Sequence, residues 1–228
     1  MKPIGKSYVA LSVFGLTMGL MEAIIVVYLR ALAYPDGFHF PLAAVPDRIL
    51  FAEIVREACT MVMLMSLAWI ASRDRIERLA FFLFSFGVWD IVYYIGLKLF
   101  LGWPDSLLAW DVLYLIPLAW LSPVLAPVLC SVLMIGLAFL GTGLRTRRGL
   151  SRLSWKEWAL LLSGAFLIFW TFIEDYAGLV QSHGAPGTPA FRAAAVRFAP
   201  RDYNWVLFVL GAVLICASAV LLIVRKEK

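Results

Sequence analysis

The chain has 228 residues, of which 63% are hydrophobic and 15% are charged, and its mean hydropathy is +0.88. Soluble domains average about half apolar and about a quarter charged residues, so this composition excludes an ordinary soluble fold and predicts a multi-pass membrane protein. The net charge of +5 does not indicate a nucleic-acid partner, because the basic residues flank apolar runs. No polar stretch reaches the roughly 50 residues of a small soluble domain, so residues 1–228 are expected to form a single transmembrane bundle.

Six apolar runs are long enough to cross a hydrocarbon core about 30 Å thick, which takes roughly 20 helical residues. They cover about residues 7–29, 50–71, 79–101, 121–141, 158–180 and 204–224. The predicted fold class is therefore all-α, a polytopic protein with six transmembrane helices plus an outer interfacial or re-entrant helix.

The connections between these runs differ in charge. The two termini and the connections after runs two and four hold 13 of the 20 Lys and Arg residues, with Lys2, Lys226 and Lys228 among them. Because basic residues accumulate on the cytoplasmic side, both termini are predicted to be cytoplasmic. Three segments, EIVREA, WDIVYY and GWPDSLLAWDVLYLIP, resemble segments of bacterial inner-membrane proteins. We therefore expect the protein to lie in a bacterial inner membrane, although none of the three matches a motif of known function.

Two connections on the predicted outer side are more than turns. Residues 102–120 are too apolar for a solvent loop, and their prolines and tryptophans favour an interfacial or re-entrant helix. In the basic 181–204 connection, the FRAAAVRF segment is predicted to form two turns of amphipathic helix on the membrane surface.

Ionisable residues interrupt the second run, in the segment FAEIVREACT. Glu53, Arg56 and Glu57 are separated by three and four positions, which places them on one helical face about 5–10 Å inside the outer boundary. In run one, Glu22 falls at a similar depth, on the same face as a Gly15-x-x-x-Gly19 pair that permits close helix approach.

Further acids lie at comparable depths in other runs. Run three places Asp90 near the midplane with Tyr94 on the same side, and run five places Glu174 and Asp175 in its outer third. The predicted inner halves of the runs contain no acid. This asymmetry predicts a polar site that opens to the outer, periplasmic side.

The acids of this cluster outnumber the nearby bases. A charge at the bilayer centre costs about 2.5–3.5 kcal/mol on insertion scales, so these side chains are expected to face inward. Arg56 can neutralise one or two acids, and Arg30 can extend from the rim to the interface. The cluster is either a structural ion network or a binding cavity. The predicted substrate- or cation-binding residues are Glu22, Glu53, Arg56, Glu57, Asp90, Tyr94, Glu174 and Asp175.

Carboxylates with hydroxyl oxygens favour a cation, a metal or a small polar solute as the bound or transported ligand. A divalent metal ion is the candidate cofactor, with Glu22, Glu57 and Glu174 as ligands and His39 or His183 as loop candidates. The alternatives are a metal-assisted intramembrane enzyme acting on lipid or isoprenoid substrates, and an accessory subunit of a larger membrane complex. The expected partners are the lipid bilayer and either another membrane protein or a second copy of the chain.

Overall fold

A computed structural model of the chain describes residues 4–225. Three of the basic residues that predict the orientation, Lys2, Lys226 and Lys228, lie outside the described residues. The elements run in the order α1 (Ile4–Ala33), α2 (Asp47–Ala71), α3 (Arg75–Leu101), β1 (Trp110–Tyr114), β2 (Trp120–Pro123), α4 (Leu125–Arg148), α5 (Trp155–His183), α6 (Pro189–Ala195) and α7 (Trp205–Val224).

Six of these helices (α1, α2, α3, α4, α5 and α7) are long and apolar enough to cross a membrane. The predicted all-α class and the six spans are therefore confirmed, and the protein is a multi-pass membrane protein. Large apolar side chains are exposed along these helices, for example Val206 and Ile70. Such surfaces suit contact with lipid, because lipid tails do not penalise exposed hydrocarbon.

The seventh helix is confirmed, but it lies in the second outer connection rather than the first. Residues 189–195 form α6, close to the predicted amphipathic turns. Residues 102–120 contain no interfacial helix, because β1 and β2 pair there as an antiparallel hairpin, with Asp111 opposite Ser122. This pairing also delays the start of α4 to Leu125, about four residues after the predicted start of span four.

Small residues let the helices approach closely. A Cβ atom added to Gly19 of α1 would lie 2.6 Å from the backbone oxygen of Trp89 on α3, which confirms the packing predicted from Gly15-x-x-x-Gly19. On the other side of the bundle, a Cβ on Gly164 of α5 would lie 2.5 Å from the backbone oxygen of Gly211 on α7. Helices α1, α3 and α4 thus form one packed row and α5 and α7 a second pair, while α2 makes its main helix contact with α3.

The bundle has two different ends. We call the end that carries residues 34–46, the β1–β2 hairpin and α6 the hairpin end. The end that carries the α2–α3 and α4–α5 turns is the basic end. At the basic end, α5 starts with a capping box, in which Glu157 and the N-cap residue Ser154 exchange hydrogen bonds.

No acid was expected in the half of the bundle at the basic end. That expectation is wrong for Glu157, which lies in the first turn of α5 and is buried. The run predicted from about residue 158 excluded it by one position, since helix starts cannot be placed that finely from hydropathy.

Candidate functional site

A cavity of about 510 Å³ lies in the half of the bundle that ends at the hairpin end. Its walls come from α1, α2, α3, the hairpin and α6, and its lining includes the exposed rim residues Asp47 and Arg192. Ligand pockets in proteins typically occupy about 300–1,000 Å³, so a small molecule fits within this volume. Predicted site residues that line the cavity are Glu22, Glu53, Arg56, Glu57, Asp90 and Tyr94.

Arg56 joins α1 to α2 across the cavity. Its guanidinium forms an ion pair with Glu22 of α1 and a second one with Glu53, whose Oε2 is 2.7 Å from Nη2 and 2.8 Å from Nε. Spacing of three residues brings Glu53 and Arg56 together on one helical face. The positive charge of Arg56 is therefore already shared between two carboxylates.

Glu57 is buried on the face of α2 that meets the hairpin. Its carboxylate accepts a hydrogen bond of 2.8 Å from the backbone N–H of Leu115, and its backbone oxygen accepts one of 2.5 Å from the Tyr114 hydroxyl. These two bonds fix the hairpin against α2. Among the described residues, no Lys, Arg or His forms an ion pair with Glu57.

Asp90 of α3 reaches the cavity from the opposite wall. Its carboxylate accepts a hydrogen bond of 2.7 Å from the Ser131 hydroxyl of α4. Within residues 4–225 it too has no ion-pair partner. Glu57 and Asp90 thus each accept one hydrogen bond from a neutral donor, and both line the same cavity.

A second arginine, Arg30, forms an ion pair in the cavity wall near the hairpin. Arg30 Nη2 is 3.0 Å from Asp111 Oδ1, and the hydroxyl of Tyr94 donates a 3.2 Å hydrogen bond to Oδ2. The guanidinium carbon lies 3.8 Å from the ring centre of Trp103 and 4.3 Å from that of Phe38. Burial raises the pKa of Asp111, and the neighbouring Arg30 opposes that rise.

The expectation that Arg30 extends to the interface is wrong, because its side chain is buried at 7% exposure. The stacked rings and the hairpin cover it. Asp111 and Arg30 were missed as a pair because they lie 81 positions apart. The available signal was a lone arginine in the last turn of an apolar helix, which has to find an acid somewhere in the fold.

Aromatic side chains supply much of the remaining lining. They come from the segment after α1, from α3, from the hairpin and from α5, and comprise Tyr34, Phe38, Trp89, Tyr93, Tyr94, Tyr114 and Tyr176. Burial raises the pKa of Tyr34 and that of Tyr114, so both phenols stay protonated and neutral. Neutral aromatic faces attract cations through their ring quadrupoles.

Two predicted residues lie elsewhere. Glu174 and Asp175 of α5 are not part of the cavity lining, and Glu174 instead accepts a 3.4 Å hydrogen bond from the Asn204 side chain before α7. The α5 residue that reaches the cavity is Tyr176, which lies about 200° round the helix from Glu174. Both acids lie in the half of α5 toward the hairpin end, but position along a helix does not determine the direction in which a side chain points.

The residues predicted to bind a metal do not come together. Glu22 and Glu57 line the cavity, while Glu174, His39 and His183 do not. The His39 ring instead lies edge-on to the Tyr34 ring, and Nδ1 of His183 is hydrogen-bonded to the Ser182 hydroxyl. Within residues 4–225, no three His, Cys, Asp or Glu side chains are grouped closely enough to hold a metal ion.

Packed apolar residues close the bundle on the side of the cavity that faces the basic end. Met18, Leu64 and Trp89 form one buried cluster, and Leu11 and Phe81 belong to a second, which continues toward that end. Within residues 4–225, these clusters lie between the cavity and the basic end. No protein-family model, curated protein or solved structure matches the chain, so the chemistry of the cavity carries the functional assignment.

Proposed function

We propose that this membrane protein binds an organic cation in the cavity, with the carboxylates of Glu57 and Asp90 as its charge partners. One observation carries the proposal: these two acids line the cavity without an ion-pair partner among the described residues. The three arginines of the lining are already engaged, Arg30 with Asp111, Arg56 with Glu22 and Glu53, and Arg192 with Asp47. A bound cation would offset the cost of burying the two remaining charges.

The lining favours an ammonium group over a metal ion. Tyr93, Tyr94 and Tyr114 line the cavity together with the acids, and recognition of organic ammonium groups commonly combines aromatic faces with a carboxylate. Hard divalent ions such as Ca²⁺ and Mg²⁺ take six or more oxygen ligands in one shell. Glu57 and Asp90 project from different helices and each already accepts a hydrogen bond from the protein.

We further propose that the cavity opens to the outer side of a bacterial-type inner membrane, with both chain termini in the cytoplasm. The distribution of Lys and Arg supports this orientation. Binding is favoured over transport as the function of this conformation, because the packed clusters around Leu64 and Phe81 block a path through the bundle.

The test is calorimetric titration of the purified protein in lipid nanodiscs with n-butylammonium chloride, with n-butanol as the neutral analogue. We expect saturable binding of the ammonium ion and none of the alcohol. Glu57→Gln and Asp90→Asn should each weaken binding at least tenfold, because each removes a charge while retaining an acceptor oxygen for its protein donor. Glu174→Gln is the matched control, an intramembrane acid outside the lining, and should bind as the wild type does.

Equal binding by wild type, Glu57→Gln and Asp90→Asn would overturn the proposal. Titration with MnCl₂ and ZnCl₂ in the same nanodiscs adds a second comparison. Stoichiometric metal binding that is lost in Glu57→Gln, without any response to butylammonium, would replace the organic cation by the metal predicted from the sequence.

A further inference from the structure

Glu57 and Asp90 lie farther from the hairpin end than the Arg30–Asp111 and Arg192–Asp47 ion pairs of the same cavity. Glu22, Glu57 and Asp90 are ten or eleven residues from the helix ends at the hairpin end, which corresponds to about 15–16 Å at 1.5 Å per residue. A ligand whose cation reaches Glu57 and Asp90 therefore has to extend past the first three helical turns before it reaches the rim.

The wall along those three turns is mostly hydrocarbon. The hydrocarbon comes from Leu29 and Ala33 on α1 and from Ile49, Leu50 and Ile54 on α2. The charged lining residues Arg30 and Glu53 in the same turns are each held in an ion pair. A small hydrated cation gains nothing from this surface. An alkyl chain attached to the cation gains the free energy of leaving water, roughly 25 cal/mol per Å² of apolar area.

The apolar wall on α2 also continues into the surface that faces lipid. Leu50 lines the cavity and is 37% exposed, and its neighbours Phe51 and Val55 are exposed outside the cavity. The main helix contact of α2 is with α3, so its first turns form a thin partition between the cavity and the bilayer. A ligand dissolved in the membrane thus has apolar surface to follow from lipid into the site.

From this arrangement we infer that the ligand is an amphiphile, an alkylammonium whose charged end binds at Glu57 and Asp90 and whose chain lies along Leu29, Ile49 and Ile54. The inference rests on the proposed function and deepens it by naming the ligand class. The cavity volume of about 510 Å³ is within the range that holds a drug-sized molecule, well beyond that of a small inorganic ion.

The experiment extends the titration to n-alkylammonium ions with two, four, six and eight carbons, in the same nanodiscs. Each buried methylene contributes about 0.8 kcal/mol, so Kd should fall about threefold to fourfold per added carbon. Partition into the nanodisc lipid is measured on empty nanodiscs and subtracted.

Ile54→Asn tests the wall separately from the charges. It places an amide in the path of the chain and leaves both carboxylates in place, so octylammonium should lose at least tenfold in affinity while ethylammonium keeps its Kd. Val55→Asn is the matched control, because it adds the same amide one position along α2, on the exposed face outside the lining.

The possible results separate the two proposals. A Kd that depends on Glu57 but is the same for two and eight carbons would overturn the amphiphile inference and leave the cation site intact. A gain per carbon that survives in Ile54→Asn would also overturn it, because the chain would then lie elsewhere. Absence of any binding that depends on Glu57 or Asp90 would overturn the proposed function itself.

Discussion

Carboxylates are buried toward both ends of the bundle, but their hydrogen-bond and ion-pair partners differ. At the basic end, Glu157 accepts a hydrogen bond from the backbone N–H of Ser154 and lies 2.7 Å from Nη1 of Arg225. At the hairpin end, Glu57 and Asp90 each accept one hydrogen bond from a neutral donor. Among residues 4–225, Glu157 thus forms an ion pair within its own chain, whereas Glu57 and Asp90 do not.

This difference separates acids that have a structural role from acids that are available to bind a ligand. An acid that caps a helix and pairs with an arginine fixes the position of that helix and has no capacity left for a ligand. An acid that lines a cavity with one neutral donor has unused lone pairs and no counter-ion in contact with it, which makes it a candidate functional group in a membrane. Four tests can break or sharpen this comparison, in order of decreasing effect.

The largest effect is expected from Asp111→Leu at the hairpin end. It leaves Arg30 buried without its counter-ion, and removal of one partner of a buried pair typically costs about 3–5 kcal/mol of unfolding free energy. Reversible denaturation in bicelles measures the loss. The double variant Arg30→Met with Asp111→Leu should recover most of it, and failure to recover would mean that Asp111 acts through contacts other than Arg30.

The second test compares acids at the two ends directly. Glu157→Gln should lower the unfolding free energy by about 2 kcal/mol, because it removes a charge-assisted hydrogen bond to Arg225. Asp90→Asn should leave stability unchanged or raise it, since Asn still accepts from Ser131 and no buried charge remains. The same denaturation assay reports both, and equal losses at the two positions would remove the distinction between the ends.

The third test concerns the close packing beside the cavity. Gly19→Ala should cost about 2 kcal/mol by overpacking, because the new Cβ would lie 2.6 Å from the Trp89 backbone oxygen. Gly136→Ala in α4 is the control, with nothing within 4 Å of its added Cβ. It should gain about 0.5–1 kcal/mol from reduced backbone entropy. A neutral Gly19→Ala would show that α1 and α3 separate without cost.

The smallest effect is expected at the rim. Arg192→Ala removes an exposed ion pair with Asp47, in which Nη1 lies 2.9 Å from Oδ1. Exposed pairs contribute about 0–1 kcal/mol, so the denaturation midpoint should barely move. A loss as large as that of Asp111→Leu would mean that α6 holds the cavity closed, and the rim would then belong with the structural charges.

The helices were predictable from sequence because hydropathy and length determine a membrane span almost alone. The hairpin was not, since WDVLY and WLSP are short apolar runs whose periodicity does not distinguish a strand from part of a buried helix. Their β-branched and aromatic residues, flanked by prolines, were the signal that favoured strands.

Helix spacing predicted which residues of one helix share a face, but not which face of each helix turns toward the cavity. Spacing along α2 correctly placed Glu53 and Arg56 on one face, because local helix geometry fixes that relation. Glu174 turned out to face Asn204, since the direction of a side chain depends on which helices are neighbours. That information lies in contacts between distant parts of the chain, as between Arg30 and Asp111, and a single sequence does not contain it in readable form.

The 81 positions between Arg30 and Asp111 also impose an order on biosynthesis. Ribosomes add about 5–20 residues per second, so the hairpin is synthesised roughly 4–16 s after the end of α1. Glu22 likewise precedes Arg56, its partner on α2. The first helix is therefore synthesised before either of its charges has a partner, and the pairs that tie it to α2 and to the hairpin form only after those later segments are made. A ribosome stalled between α3 and the hairpin would leave Arg30 without Asp111.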